Sequence, residues 1–285
     1  MNLWEAVRMA FRSLGSGKMR SGLTMLGIII GTGAVIALLS AGQGAQREIT
    51  SQVQSIGSNL IFVFAGNIGG GRQVTRAYAP LTRQDADALN DPGRLPHVLA
   101  VAPEINRGVT ITLGRESVSV SVVGTTPEYE FARNYTVALG SFISSNDELS
   151  GARVVVLGWD TAEALAGAAE LAMDQIVRVN GVQFRIIGVL EKKGGQGVGG
   201  GSADNIAIIP LSTAYQRLFA GRFMSAQGRT VDLINVSAVD EDSIDQAIEE
   251  ITWALRDRRG IEYGEDNFTV ASQQDILGVL NQITN

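Results

Sequence analysis

The residues that could do chemistry are few, and their spacing is unhelpful to catalysis. The sequence has no cysteine and a single histidine, His97. Disulfides, thiolate zinc sites and cysteine nucleophiles are therefore excluded, and one imidazole leaves no room for a multi-histidine metal site and little for a Ser-His-Asp triad. His97 precedes a strand and reads as a surface or packed residue. Gly195-Gln196-Gly197-Val198-Gly199-Gly200 matches GxGxxG, but the sequence after it leads into a strand. Without a helix N-terminus a phosphate site lacks its dipole and convergent N–H groups, so the segment reads as a flexible glycine loop. Nothing matches GxxxxGK[ST], so ATP hydrolysis is not expected on this chain. Asp240-Glu241-Asp242 and Glu249-Glu250 are acidic neighbours that a helix start and a solvent face explain, as a first helical turn explains Asp85 and Asp87. Trp253 and Phe268 read as core residues rather than a ligand cage. No nucleophile–base pair stands out, which disfavours an anchored hydrolase.

Charge placement says more than these motifs. Of 285 residues 45% are hydrophobic, and the net charge is −6, with 34 glycines and 6 prolines, a folding composition rather than a disordered or collagen-like one. Residues 1–20 hold Arg8, Arg12, Lys18 and Arg20 against Glu5, so +3, leaving −9 on the rest. A small basic head on a large acidic body argues against nucleic acid, which needs a clustered basic face.

Between Arg20 and Arg47 there is no charge, and the apolar centre runs from Leu23 to Ala41. About 20 such residues cross a bilayer core of roughly 30 Å as a helix. The basic residues before it mark a cytoplasmic flank, so the chain from about residue 47 is expected outside. A cleaved signal peptide would have a shorter apolar region and a better small-x-small site. Gly27, Gly31 and Ala34 share one side of this helix, and Gly27 to Gly31 is a GxxxG pattern that lets a second helix approach closely. Residues 2–14 place Leu3, Val7, Ala10 and Leu14 opposite Glu5, Arg8 and Arg12, with Trp4 and Phe11 alongside, which suits an amphipathic helix on the inner membrane surface.

The remainder alternates short strands and helices. Residues 46–57 continue as a helix. Leu60–Phe64 reads as a buried strand, 67–79 as a loop, and Thr82-x-x-Asp85 as a capping box with Leu81 placed to staple. Strands are expected at 98–106, 109–113, 118–124, 153–157, 176–179, 183–190, 206–209, 232–238 and 267–271. Gly114-Arg115-Glu116 and Asn180-Gly181 read as hairpin turns. Helices are expected at 160–168, 213–218 and 241–258, the last capped by Asp240, and Ser272-x-x-Asp275 opens another. Units of βαβ type thus bracket a β-rich middle: an α+β fold with one transmembrane helix and a two-lobed outer domain. The boundaries are 1–20 for the surface helix, 21–46 for the span, 47–130 with 220–271 for a split βαβ lobe, 131–219 for an inserted β-rich lobe, and 272–285 for a connector helix.

In this order the segments from NLWEAVRMAFRSL through GSNLIFV, together with RVVVLGWDTAEAL and VRVNGVQFRIIGVL, resemble the MacB-like permeases of ABC transporters, in the FtsX-like group. Leu81-Thr82…Asp85 and Val101-Ala102-Pro103-Glu104 fall in the matching places, so the resemblance covers essentially the whole chain. It implies a porter-like lobe with an inserted one, in an extracytoplasmic domain between the first two membrane helices of a bacterial inner-membrane protein. It also implies a permease homodimer or heterodimer and a separate cytoplasmic ATPase that carries the ATP, with no cofactor on this chain. ATP-driven movements would pass through the helices to the outer domain, a mechanism called mechanotransmission. The cargo of the group includes macrolides, peptides, toxins and lipoproteins, some reached through a periplasmic adaptor protein. The resemblance makes the loop of Gly195, Gln196, Gly197, Val198 and Gly199 a contact for an adaptor, substrate or partner subunit. Arg8 and Arg12 would meet lipid phosphates or help to dock the ATPase. Three further membrane helices and a nucleotide-binding domain belong to the group's pattern and are not in this sequence. The expectation is a non-catalytic permease subunit, or a truncated part of one, serving export or lipoprotein and envelope handling. The alternative is a membrane-anchored extracytoplasmic binding or interaction module without its own ATPase.

Overall fold

The computed structural model describes Trp4 and residues 18–54, 59–66, 79–194, 202–263 and 266–276. The surface helix expected at 2–14, the loop at 67–78, the glycine stretch at 195–199 and the connector beyond Ile276 lie outside them, Trp4 apart. The chain divides into two compact units, Met1–Ser51 and Gln52–Asn285.

Helix α1, Lys18–Gln54, makes up most of the first unit and continues past residue 46, as the sequence leads one to expect. Leu23, Ile28, Ile29, Ile30, Val35 and Ile36 are all exposed along it. Successive residues project about 100° apart, so three consecutive exposed isoleucines make the helix apolar all round rather than amphipathic. Thr32 returns its hydroxyl to the Ile28 carbonyl at 2.7 Å, which removes the donor from an apolar surface. Among the described residues no helix is long and apolar enough to cross a membrane.

The second unit is a mixed α/β fold. Its strands are β1 (Leu60–Ala65), β2 (Leu81–Thr82), β3 (Val98–Leu113), β4 (Glu116–Thr125), β5 (Val137–Gly140), β6 (Val154–Leu157), β7 (Ile176–Val179), β8 (Val182–Leu190), β9 (Ile206–Pro210), β10 (Met224–Ser225), β11 (Gly228–Val231), β12 (Leu233–Ala238) and β13 (Phe268–Ser272). The helices are α2 (Arg83–Leu89), α3 (Tyr129–Ala132), α4 (Ser145–Ser150), α5 (Trp159–Ala166), α6 (Leu211–Thr213) and α7 (Ile244–Arg259). A 10-stranded sheet runs β13-β1-β12-β3-β4-β9-β6-β8-β5, with β7 bridging β3 and β8, and β10-β11-β2 form a small second sheet.

Strand β1 is buried on both faces. Ile61 and Val63 join the cluster that α7 covers, while Leu60 and Phe62 pack with Leu233 on the other side. That explains its unbroken apolar sequence. A second cluster lies between β3, β4, β6, β8 and β9 and helix α5, including Ile111, Val122, Leu157, Leu165 and Phe184. Asn180 and Gly181 carry φ of 47° and 83°, the paired positive values of a type I′ turn, and close the β7–β8 hairpin at Val179↔Val182.

Several expectations change. The strands expected at 98–106 and 109–113 are one strand of 16 residues, because Arg107 to Val109 keep pairing with β4 through Gly108. Helix α7 starts at Ile244, not at 241. Asp240 instead accepts from the N–H of Ser243 (2.8 Å) and its Oγ (2.5 Å), and so holds the turn before the helix. Trp253 is 66% exposed rather than core. The buried face of α7 follows Ile244, Ala247, Ile251, Ala254 and Leu255, and a residue two beyond Ile251 falls on the opposite side. Phe268 is buried, as its apolar surroundings suggest. Residues 213–218 are not one α-helix; α6 is a single turn that widens into a π-turn over Ala214–Leu218. Glu250 is not a plain solvent-face residue, since it accepts from the His97 N–H at 3.2 Å and meets His97 Nδ1 at 2.6 Å.

Candidate functional site

The first and last strands of the second unit are neighbours in the sheet. Antiparallel pairing sets Ile61 of β1 against Ser272 of β13, so the start of one strand lies beside the end of the other. Ser272 then turns the chain. Its N–H and Oγ both donate to Asp275 Oδ2 (2.8 and 2.6 Å), and Asp275 N–H returns to Ser272 Oγ (3.2 Å). This is the capping box expected from the sequence. The helical turn it opens places Ile276 against the cluster of Leu60, Phe62 and Leu233. Asn59, ahead of β1, is tied to β12 through Nδ2 to Ala238 O (2.7 Å) and the Ala238 N–H to its carbonyl (2.9 Å). Both chain segments at this root are thus fixed to one sheet.

A charged latch joins α2 to the end of α7. The Thr82–Asp85 capping box forms, with Thr82 N–H on Asp85 Oδ2 at 2.8 Å. The same carboxylate receives Arg259 Nη2 (2.7 Å) and Arg258 Nε (3.0 Å). Burial opposes the Asp85 charge, but the Arg259 bond and charge and the Thr82 donors outweigh it and hold the carboxyl below its ordinary 3.8. Arg259 also reaches Pro80 O (3.1 Å) and Asn267 Oδ1 (2.7 Å). The cavity of about 230 Å³ beside it is therefore lined by groups already partnered to each other.

A third polar group is buried where β3, β12 and α3 meet. Glu104 Oε2 accepts from Asn235 Nδ2 at 2.9 Å on the neighbouring strand. Arg133 is 5% exposed, its Nε and Nη1 have no hydrogen-bond partner, and its guanidinium lies 5.7 Å over the Phe62 ring. Burial opposes its charge, and Tyr129 and Glu104 more than restore it. Beside it, Lys193 donates from Nζ to the carbonyls of Arg133 (2.7 Å) and Asn134 (3.0 Å). Burial and the nearby Arg133 bring Lys193 down to about 8, against the opposing pull of Asp204. Asp204, 2% exposed, accepts the backbone N–H of Lys193 (2.8 Å) and Gly194 (2.7 Å). Apart from Glu104, which ends the Val101-Ala102-Pro103-Glu104 motif, these residues were not singled out from the sequence, because their partners come from distant segments.

The residues singled out from the sequence do not gather at one place. Gly27, Gly31 and Ala34 are exposed on α1, and a Cβ added at either glycine would meet nothing within 4 Å. Lys18 and Arg20 belong to the first turn of α1, while Arg8, Arg12 and residues 195–199 lie outside the described residues. Among the described residues no group of three His, Cys, Asp or Glu is placed to hold a metal.

Comparison with known proteins gives a consistent picture. The MacB-like periplasmic core domain family matches residues 21–253. The chain is 34% identical over 281 residues to the macrolide export ATP-binding/permease protein MacB of Hyphomonas neptunium, covering 99% of this chain and 41% of that protein. It is 30% identical over 276 residues to the pyoverdine export ATP-binding/permease protein PvdT of Pseudomonas entomophila, covering 96% and 39%. The chain thus spans well under half the length of these relatives. In structure it resembles the periplasmic region of MacB from Actinobacillus actinomycetemcomitans, with a TM-score of 0.62 and 20% identity over 80% of this chain and 95% of that one. It also resembles the extracellular domain of the noncanonic ABC-type transporter YknZ from Gram-positive bacteria, with a TM-score of 0.58 and 20% identity over 75% and 100%. The chain belongs to the MacB-like periplasmic core domain family.

Proposed function

We propose that the chain is a permease subunit, or part of one, of an inner-membrane ABC transporter, and that it relays movement rather than performing chemistry. In this reading α1 is the first membrane helix and the second unit is extracytoplasmic from about residue 47. A separate cytoplasmic ATPase supplies the ATP, and a second permease chain packs on the Gly27, Gly31 and Ala34 face. Arg8, Arg12, Lys18 and Arg20 form the cytoplasmic flank. Residues 47–130 with 220–271 form the porter-like lobe and 131–219 the inserted one, with β3 common to the cores of both. The loop at 195–199 contacts a periplasmic adaptor or other partner, and residues 272–285 lead toward a second membrane helix.

The observation that carries this reading is the Ile61↔Ser272 register. It gathers the strand after α1 and the helical turn after β13 at one root of the sheet, so a shift of either segment is transmitted to β1, which both cores' shared sheet contains. The apolar circumference of α1 supports a lipid surroundings. The test is affinity purification of the full chain from gently solubilised membranes. An ABC ATPase should co-purify, and carbonate extraction should leave the chain in the membrane. Recovery of the membrane-held chain with no ATPase would overturn the transporter reading in favour of an anchored interaction module.

A further inference from the structure

Strand β3 changes partner along its length. It pairs with β12 as far as Glu104, and with β7 at Ile111 and Thr112. Between these points β4 holds one edge and, among the described residues, no strand holds the other. The resulting bay is a groove of about 830 Å³ whose lining includes Arg107, Gly108, Thr110, Arg178, Phe219 and Arg222.

The backbone at the floor points into this bay. Ser121, opposite Gly108 on β4, sends its N–H the other way, to Asn205 O at 3.3 Å. The Gly108–Ser121 pair is therefore a non-hydrogen-bonded one, and the N–H and C=O of Gly108 face away from β4. Thr110, two residues on and of the same parity, has its carbonyl in the bay, where it accepts the Asn180 N–H at 3.2 Å.

The groove's charge has one sign. No carboxylate lines it. Arg107 is pinned by Asp232 just outside (2.7 and 3.1 Å) and lies 4.6 Å over the Phe223 ring, so its charge is compensated and its position fixed. Arg178 and Arg222 are exposed, and among the described residues neither has an acidic partner. Two uncompensated guanidiniums on a chain of net charge −6 form a local field opposite to that of the molecule. The planar guanidinium fork suits bidentate carboxylate or phosphate oxygens. A groove of this size fits a small organic molecule.

We propose that this bay binds a small polyanion through its carboxylate or phosphate groups, with Arg178 and Arg222 as the principal contacts and the Gly108 N–H as a further donor. The proposal does not depend on the transporter reading. It is tested by isothermal titration of the full detergent-solubilised chain with citrate and, separately, pyrophosphate, at low and physiological ionic strength. At least one probe should bind saturably and more weakly in salt, and the stronger of the two identifies the carboxylate or phosphate class. The R178Q/R222Q double variant, altered only at exposed positions, should lose at least about tenfold in affinity. R185Q, exposed on the adjoining strand but outside the groove, should keep it. Absence of saturable binding by both probes overturns the proposal. So does an unchanged affinity in the double variant, or an equal loss in R185Q, which would reduce the effect to net charge.

Discussion

Arg83 Nη1 lies 2.5 Å from Glu148 Oε1 and ties α2 to α4 across 65 residues of sequence. The other carboxylate oxygen of Glu148 accepts the Ser212 N–H at 3.0 Å, so one buried side chain gathers α2, α4 and α6. The two largest hydrophobic clusters of the second unit are thereby joined by a polar bond as well as by the shared strand β3.

Removing that carboxylate should therefore be costly. Glu148→Ala leaves the Ser212 N–H and Arg83 short of a partner in a buried setting, and should lower stability by about 2 kcal/mol. A double-mutant cycle with Arg83→Ala should give a coupling of about 1 kcal/mol. Chemical denaturation of the four proteins measures it, and additive losses would show that the two side chains act independently.

The Asp85 latch gives a signed pH prediction. The native carboxyl titrates below its ordinary 3.8, so the unfolded chain binds the proton first as the pH falls. The contribution is complete above the unfolded value and is lost as the pH falls through the native one. Asp85→Asn should cost about 3 kcal/mol at neutral pH, since it strands Arg259 and Arg258 beside a buried site. The gap to wild type should narrow on acidification. A gap that stays constant in denaturation curves down to strongly acidic pH would contradict it.

What the sequence disclosed depended on the range of the interaction. Local signals were legible. The apolar run at Leu60–Phe64, the Asn180-Gly181 turn and the Thr82 and Ser272 capping boxes each depend on residues within a few positions, and each forms as read. Residue type alone misled at Trp253, where helical phase decides and puts the ring on the outer face of α7. The strands β2 and β10 were missed because 2 residues make no pattern, and β5 and β11 because, unlike the equally short β6, they carry no unbroken apolar run. The Glu104–Asn235 bond joins residues 131 apart, and the bay along β3 exists only because two partner strands stop short of each other. Neither leaves a mark in any one segment.

Lys193 should move stability in the same direction as Asp85, but in the alkaline range. Its native value of about 8 lies below the ordinary 10.5, so above pH 8 the native amine releases its proton while the unfolded chain still holds one. Stability should accordingly rise with pH above about 8, until, on the approach to 10.0, tyrosines of the unfolded chain ionise ahead of the buried Tyr129. Lys193→Met should remove this rise. Thermal melts across that window decide the matter, and a wild-type Tm that is flat or falling would refute the assignment.

Gly158 should tolerate no side chain. A Cβ there would stand 2.3 Å from the Asp204 carbonyl oxygen and 2.9 Å from Ile206 Cγ2, and the carbonyl is backbone that cannot swing aside. Gly158→Ala should destabilise by about 2 kcal/mol, because β9 or the start of α5 must shift. It should also loosen the Asp204 bonds to the Lys193 and Gly194 amides, seen as faster amide exchange at both. Gly108→Ala is the control, since a Cβ there meets nothing within 4 Å. Equal losses at the two positions would mean that a general glycine effect, not the Asp204 contact, is responsible.

Gly27 and Gly31 present the converse case. Among the described residues a Cβ at either meets nothing within 4 Å beyond its own helix, so they give no reason for glycine there and leave space for another helix. Gly27→Leu/Gly31→Leu should leave the melting of the second unit unchanged while weakening association between permease chains in detergent by about tenfold, measured by sedentation-equilibrium ultracentrifugation across detergent concentrations. The same substitutions on the opposite side, at Ile29 and Ile36, should leave association intact. If both pairs weaken it equally, α1 associates through general apolar contact rather than through its small-residue face.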